Sequence, residues 1–248
     1  MLKIDAVNKY YGGVRAVNNV TLNMLNMNIV GLIGTNGAGK TSLFNLISGF
    51  NTADSGSAEF EGQNILGLLP SDIAKMGMIR TFQTPIGFPK MTVMENMLVF
   101  SRQINSGLFS NLFNLNEIKN EIYDEAESIL EAFGLINKKN IWVMELSAPE
   151  LKMLEFARAS MAKPKLMLLD EPAAGVNPAI LDQLCERIIS LKDSGVNFLI
   201  VDHNLKFICE ISEYIFAMAD GLIISEGKPN TVINDQNVID CYIGKKKN

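Results

Sequence analysis

The stretch Gly34-Thr35-Asn36-Gly37-Ala38-Gly39-Lys40-Thr41 decides how this chain is read. An apolar run at 29–33 leads into it, a helical pattern runs from 40 to about 48, and Gly49 sits where a helix stop belongs. In a strand–loop–helix context, glycines let backbone N–H groups curl around phosphate oxygens, and the helix N-terminus adds the positive end of its dipole. Lys40 is then placed to reach β- and γ-phosphates, the Thr41 hydroxyl to hold Mg2+, and Ser42 continues the same first turn. A chance glycine-rich turn is the competing reading, and the flanking strand and helix disfavour it.

Working outward, short β-branched or leucine-rich runs at 2–7 and 20–25 and a stretch at 58–60 read as strands. Pro70 leads a short helix over 71–76 that Gly77 closes. From about 85 to 144 the chain turns amphipathic and helical, notably over 116–133, with a softer loop at 105–114. After Ser147 the pattern alternates: helix, strand 166–170, helix 178–193, strand 196–201, helix 205–212. Such alternation indicates a parallel α/β core. Runs at 215–219 and 222–225 flank Asp220-Gly221, a two-residue hairpin signal.

Composition sets the limits of function. The chain has 248 residues, 48% hydrophobic and 20% charged, which excludes disordered, collagen-like and disulfide-stapled classes. Its 22 Lys+Arg against 27 Asp+Glu leave a net charge of −5, so no global basic field for nucleic acid exists. Cys185, Cys209 and Cys241 lack metal-ligand spacing, and with one histidine they make a structural zinc site improbable. Cys185 shares a helical stripe with Leu181, Leu184 and Ile188, the pattern of a buried, inert thiol. No run of 18 apolar residues is present, and Lys3 and Asp5 interrupt the only stretch resembling a signal peptide. A soluble protein of a reducing compartment is expected.

A second motif supports the first. In Leu166-Met-Leu-Leu-Asp170-Glu171 four apolar residues make a buried parallel strand, and two carboxylates stand at its C-terminal end, where open α/β sheets bind ligands. Asp170 suits the outer coordination of Mg2+ and Glu171 the role of general base toward an attacking water. Taken singly, His203 after strand 196–201, Gln83 after the run 78–82, and Tyr11 in a strand read as structural residues. They gain meaning beside the phosphate loop.

Together these residues resemble one family along essentially the whole chain: the ATP-binding-cassette ATPases. The resemblance implies a P-loop NTPase core of α/β class with an N-terminal antiparallel β-subdomain and an α-helical subdomain inserted at about 85–160, all within a single domain over 1–248. It implies that Tyr11 stacks on adenine, that Gln83 senses Mg2+ and water, that Asp170 serves the metal, that Glu171 is the catalytic glutamate, and that His203 contacts the γ-phosphate. Gly175-Val-Asn-Pro178 matches the loop that meets a second cassette in a head-to-tail dimer enclosing two ATP molecules. Ile79-Arg-Thr-Phe-Gln83, Phe88-Pro-Lys-Met-Thr-Val-Met-Glu-Asn96, Asp170-Glu-Pro-Ala-Ala-Gly-Val-Asn-Pro178 and Ile239-Asp-Cys-Tyr-Ile-Gly244 are similar to the ATP-binding subunits of branched-chain amino-acid importers. That implies two membrane permeases as partners, a solute-binding protein indirectly, no nucleic acid, docking through about 84–100, and a place on the cytoplasmic face of the membrane.

One stretch departs from the family. Its signature, Leu-Ser-Gly-Gly-Gln or a near variant, reads here Leu146-Ser147-Ala148-Pro149-Glu150. Pro149 has no N–H for a phosphate, and Glu150 adds negative charge, although Ser147 and Glu150 keep the spacing of a capping box at a helix start. A heterodimer with one impaired ATP site follows as the expectation. The competing readings are a cassette for another solute (urea/amide or lipopolysaccharide type), a weakly hydrolysing regulatory cassette, a nucleic-acid-associated ATPase and a GTPase. The nucleic-acid class carries two cassettes or a coiled-coil insert, and the GTPase class wants Asn-Lys-x-Asp where Asn137-Lys-Lys-Asn140 ends in Asn. Lys245–Lys247 reads as a solvated tail.

Overall fold

The computed structural model of the chain describes residues 1–81, 87–101 and 115–243. They divide into two compact units, Met1–Arg80 with Leu166–Gly175 and Ile189–Asn248, and Thr81–Lys165 with Val176–Ile188.

In chain order, the first unit opens with β1 (Leu2–Tyr11), β2 (Val14–Asn23), β3 (Ile29–Ile33), α1 (Lys40–Ile47), β4 (Ser55–Phe60), β5 (Gln63–Asn64), α2 (Pro70–Met76) and β6 (Met78–Arg80). A four-stranded antiparallel sheet runs β2-β1-β4-β5. Its alternation is visible at the start of β1, where Leu2 and Ile4 are buried beside exposed Lys3 and Asp5, and a register shift after Ile4 brings Val7 to the core. The sequence places the second strand at 20–25. It begins instead at Val14, because Gly12-Gly13 closes a two-residue hairpin in which Tyr11 faces Val14.

The second sheet uses strands from both ends of the chain. β7 (Leu166–Asp170), β8 (Asn197–Val201), β9 (Tyr214–Ala219) and β10 (Leu222–Gly227) join β3 and β6 in the order β10-β9-β3-β8-β7-β6. All neighbours are parallel except β9 and β10. β3 and β7 are buried at every position, as strands covered on both faces must be. Asp220 and Gly221 turn between β9 and β10 with φ of 48° and 78°, the paired positive values of the tight hairpin read from the sequence. Leu43, Phe44, Leu46 and Ile47 of α1 share one apolar core with Leu2, Ile4 and Val20 of the first sheet and Val30, Leu32, Leu168 and Leu199 of the second.

The second unit is helical. α3 (Val93–Val99) starts in a reciprocal cap: Glu95 N donates to Thr92 Oγ1 and Thr92 N to the Glu95 carboxylate. α4 (Leu115–Ala132) buries Ile122, Ala126 and Leu130 at intervals of one turn. α5 (Ala148–Met161) carries the capping box expected from Ser147 and Glu150. Its interior is more buried than an amphipathic helix allows, with a Lys152–Glu155 ion pair of 3.1 Å enclosed along with Phe156 and Arg158. α6 (Pro178–Asp193) has the bounds expected, and buries Leu184 and Ile188. Cys185 is only half-buried, which corrects its reading as a core thiol: it lies at the edge of the stripe.

α7 (Leu205–Ile211), α8 (Pro229–Ile233) and α9 (Gln236–Ile243) complete the chain. The last two went unread in the sequence, being one and two turns long. α7 lies tight against β3, and a β carbon at Gly31 would stand 2.6 Å from Ile208 Cγ2 and 2.9 Å from Ser212 Oγ. Gly31→Ala should therefore lower stability by about 1–3 kcal/mol through overpacking. Urea unfolding measures this, and an unchanged midpoint would contradict the β3–α7 packing.

Candidate phosphate-loop site

The loop after β3 is held from both sides. A β carbon at Gly34 would meet Met218 O at 2.2 Å, and one at Gly39 would meet Ala16 O at 2.2 Å, with φ of 154° and 103°. Only glycine permits both the contact and the conformation. Ala38 N donates to Thr35 O (3.1 Å), Gly221 N to Ala38 O (3.0 Å) and Asn18 N to Gly221 O (2.8 Å), so β2 and the β9–β10 turn brace the loop.

α1 then starts without a side-chain cap and without an acidic residue in its first turn. Its first N–H groups have no intrahelical partners, which is the anion-binding condition of a helix N-terminus. Lys40 is buried, and its ammonium donates to Gly34 O (2.7 Å) and Thr35 O (3.0 Å). Burial lowers its pKa, opposed by the charges of Glu171, Asp170 and Asp202. Loop and carboxylates are thus within electrostatic reach of one another. A cavity of about 340 Å³ is lined by Val14, Arg15, Ala16, residues 36–42, Glu171 and Asp220.

β7 delivers the two carboxylates. Asp170, buried at the strand end, accepts from Arg80 Nη2 at 2.8 Å. Glu171 sits at φ 48°, a conformation that costs a non-glycine residue about 1–3 kcal/mol, and its N–H donates to Val201 O (2.7 Å). His203 Nδ1 lies 3.9 Å from Glu171 Oε1 and 3.7 Å from Asp202 Oδ1, with its ring largely exposed. Asp202, which the sequence reading passed over, is fully buried and accepts from Ala173 N and Asn204 N at 2.9 Å each. It ties the backbone beyond Glu171 to the segment carrying His203. Alternating polarity cannot flag such a residue; only its position directly after a buried strand could.

Tyr11 ends β1 half-exposed, accepting from Asn51 Nδ2 at 2.6 Å with the Lys9 ammonium 5.4 Å from its ring centre. The cavity wall is formed by its cross-strand partner Val14 rather than by Tyr11 itself. Gln83, the loop at 105–114 and the lysine tail at 245–247 lie outside the described residues.

The altered signature is in the second unit. Ser147 N (2.9 Å) and Ser147 Oγ (2.7 Å) both donate to Glu150 Oε2, and Lys138 pairs with Glu150 Oε1. Lys138 first, then the Ser147 donors, hold the Glu150 carboxyl down at about 2. Its charge is therefore compensated within its own unit, whereas the N–H lost at Pro149 is not replaced by the residue itself. The same unit exposes Phe88, Trp142 and Met144 side by side: Thr92 bridges Trp142, Val143 N donates to Met91 O and Met144 N to Pro89 O.

Among the described residues no group of three or more His, Cys, Asp and Glu could hold a metal alone. Thr41 and Asp170 nonetheless suit Mg2+, which takes one or two protein ligands and completes its shell with phosphate and water.

Residues 17–174 match the family described as ABC transporter. The "Probable branched-chain amino acid transport ATP-binding protein LivG" of Archaeoglobus fulgidus is 38% identical over 246 residues, 98% of this chain and 95% of that one. The "High-affinity branched-chain amino acid transport ATP-binding protein LivG" of Escherichia coli K12 is 36% identical, over 99% of this chain and 98% of that one. Among solved structures, the ADP conformation of MJ1267, an ATP-binding cassette of an ABC transporter, superposes with a TM-score of 0.85 at 33% identity, covering 99% of both chains.

The Glu150 pair has a measurable pH signature. A carboxyl held below its unfolded value of 4.5 stabilises fully above that pH and loses the contribution as pH falls towards about 2. Lys138→Met should cost about 1 kcal/mol at pH 7, after allowance for solvent screening, and less at pH 3. Urea unfolding at both pH values tests this; equal losses would contradict the pairing.

Proposed function

This chain belongs to the ABC transporter family, and from that premise we propose that it is the ATP-hydrolysing subunit of a branched-chain amino-acid importer. The observation that carries the reading is the braced loop 34–39 opening α1, with Lys40 and Glu171 lining the same cavity. The solute comes from the names of the LivG relatives, which match along nearly the whole chain.

The backbone N–H groups of the loop and of α1's first turn bind the phosphates, and Lys40 adds its charge to the β- and γ-phosphates. Thr41 and Asp170, with Gln83 by family resemblance, would hold Mg2+, which would neutralise charge on the transferred phosphoryl group. The Glu171 carboxylate takes a proton from the attacking water as the new P–O bond forms and the bond to the β-phosphate oxygen breaks. His203, 3.9 Å from Glu171, donates toward the γ-phosphate. Val14, which lines the cavity, is placed to meet the base, with Tyr11 beside it across the hairpin.

No described helix is long and apolar enough to cross a membrane; as an ABC transporter cassette, the chain works with membrane permease partners that supply the pathway. The apolar surface of Phe88, Trp142 and Met144 fits a permease docking face on the cytoplasmic side. A second cassette is expected to complete the ATP sites, with Ser147, Ala148, Pro149 and Glu150 facing its nucleotide. Because Lys138 compensates Glu150, the missing donor at Pro149 dominates the impairment, worth about 1.5–3 kcal/mol or one to two decades. This favours a heterodimer with one competent site, and gives some support to a weakly hydrolysing regulatory cassette as the second reading.

Lys40→Ala should weaken ATP binding at least tenfold in a calorimetric titration; unchanged affinity would refute the site. Glu171→Gln should bind ATP and turn it over 10²–10⁴-fold more slowly. Pro149→Gly should raise the ATPase rate of the protein alone about ten- to hundredfold, whereas Glu150→Gln should not. A wild-type rate in Glu171→Gln, or no response to Pro149→Gly, contradicts these roles.

A further inference from the structure

We propose that Arg80 is a positioning residue for the metal site: it fixes the Asp170 carboxylate in register with the start of α1. The inference rests on the reading of Asp170 as the Mg2+ aspartate and adds a residue to it. Arg80 ends β6, beside β7 in a register that sets it opposite Leu168. From there its guanidinium spans two elements. Nη2 donates to Asp170 Oδ2 at 2.8 Å, while Nη1 donates to Asn45 Oδ1 at 2.7 Å and Ser48 Oγ at 2.9 Å, on and just beyond α1.

Two aromatic rings lie beside the group as well. The guanidinium carbon lies 5.7 Å from the centre of the Phe44 ring and 5.5 Å from that of Phe50. Both partners are largely buried, with side chains 8% and 12% exposed. A buried Arg–carboxylate pair of this kind is weak evidence for stability, because desolvation offsets attraction. It is strong evidence for geometry: a fork hydrogen-bonded to three acceptors on two elements is fixed in orientation. α1 begins with Lys40 and Thr41, so anchoring Arg80 on Asn45 and Ser48 refers the Asp170 carboxylate to the helix that carries the phosphate loop and the Thr41 hydroxyl. Arg80 engages Oδ2, so Oδ1 is the oxygen that would serve the metal shell. Outer partners that orient metal ligands commonly govern metal affinity ten- to hundredfold. The positive charge of Arg80 opposes the cation, but Asp170, Glu171 and Asp202 leave the site net acidic against Lys40.

The test measures Mn2+ binding by electron paramagnetic resonance on the full chain loaded with AMP-PNP. Arg80→Met should weaken Mn2+ binding about ten- to hundredfold, and Arg80→Lys, which keeps the charge but not the fork, should recover only part of it. AMP-PNP affinity in EDTA should stay within about twofold of wild type for both. Asp170→Asn serves as the control. If Asp170→Asn loses Mn2+ and Arg80→Met does not, the proposal is overturned and the metal-site reading stands; if neither loses it, the metal-site reading itself has failed. Should Arg80→Met not fold, the Asn45→Ala/Ser48→Ala double variant decides: weakened Mn2+ binding at unchanged EDTA affinity supports the anchor, and wild-type Mn2+ binding overturns it.

Discussion

At two points in the first unit, backbone presses on backbone so closely that no β carbon fits between. Gly34 faces Met218 O, and Gly39 faces Ala16 O. These contacts wedge the loop 34–39 between β2 and the end of β9, and the hydrogen bonds from Gly221 and Asn18 close the wedge. The curve of the loop, the uncapped start of α1 and the inward path of Lys40 all follow from it. The antiparallel sheet is therefore part of the nucleotide site, because one of its strands forms the wall against which the loop bends.

Charge is arranged around that wedge. β7 and β8 end side by side in the sheet, so Asp170, Glu171 and Asp202 gather near one buried ammonium. Asp202 spends both oxygens on backbone N–H groups and so shapes the chain on either side of it. Glu171 is held in a left-handed conformation, a local cost maintained by the strand hydrogen bond from its N–H to Val201. In the second unit, Lys138 and Ser147 absorb the charge of Glu150, and the altered signature keeps its helix start intact.

What was legible in the sequence was local. The loop 34–41, the strand Leu166–Asp170, the helix Pro178–Asp193 and the Asp220-Gly221 hairpin announce themselves through glycine and proline punctuation and unbroken apolar runs. The start of β2 was missed because Val14–Val17 owes its extension to pairing with β1, not to its own pattern. α8 and α9 are too short to show a period. The residues that tune the site were hidden for a related reason. Arg80 meets a carboxylate 90 positions away, and Lys138 finds Glu150 across the turn at Val143–Glu145. Neither partnership leaves a spacing to read. Glu150 consequently looked like an uncompensated charge until its partner was in view.

The central claim is that ATP held at this loop drives solute import through membrane partners. It is tested most directly by reconstituting the protein with permease subunits in proteoliposomes and measuring uptake of radiolabelled leucine, isoleucine and valine with ATP supplied on the cassette side. The account predicts ATP-dependent uptake, stimulated by the solute-binding protein and abolished by Glu171→Gln. Uptake that proceeds equally with the Glu171→Gln cassette, or ATP hydrolysis that moves none of these amino acids, would contradict it.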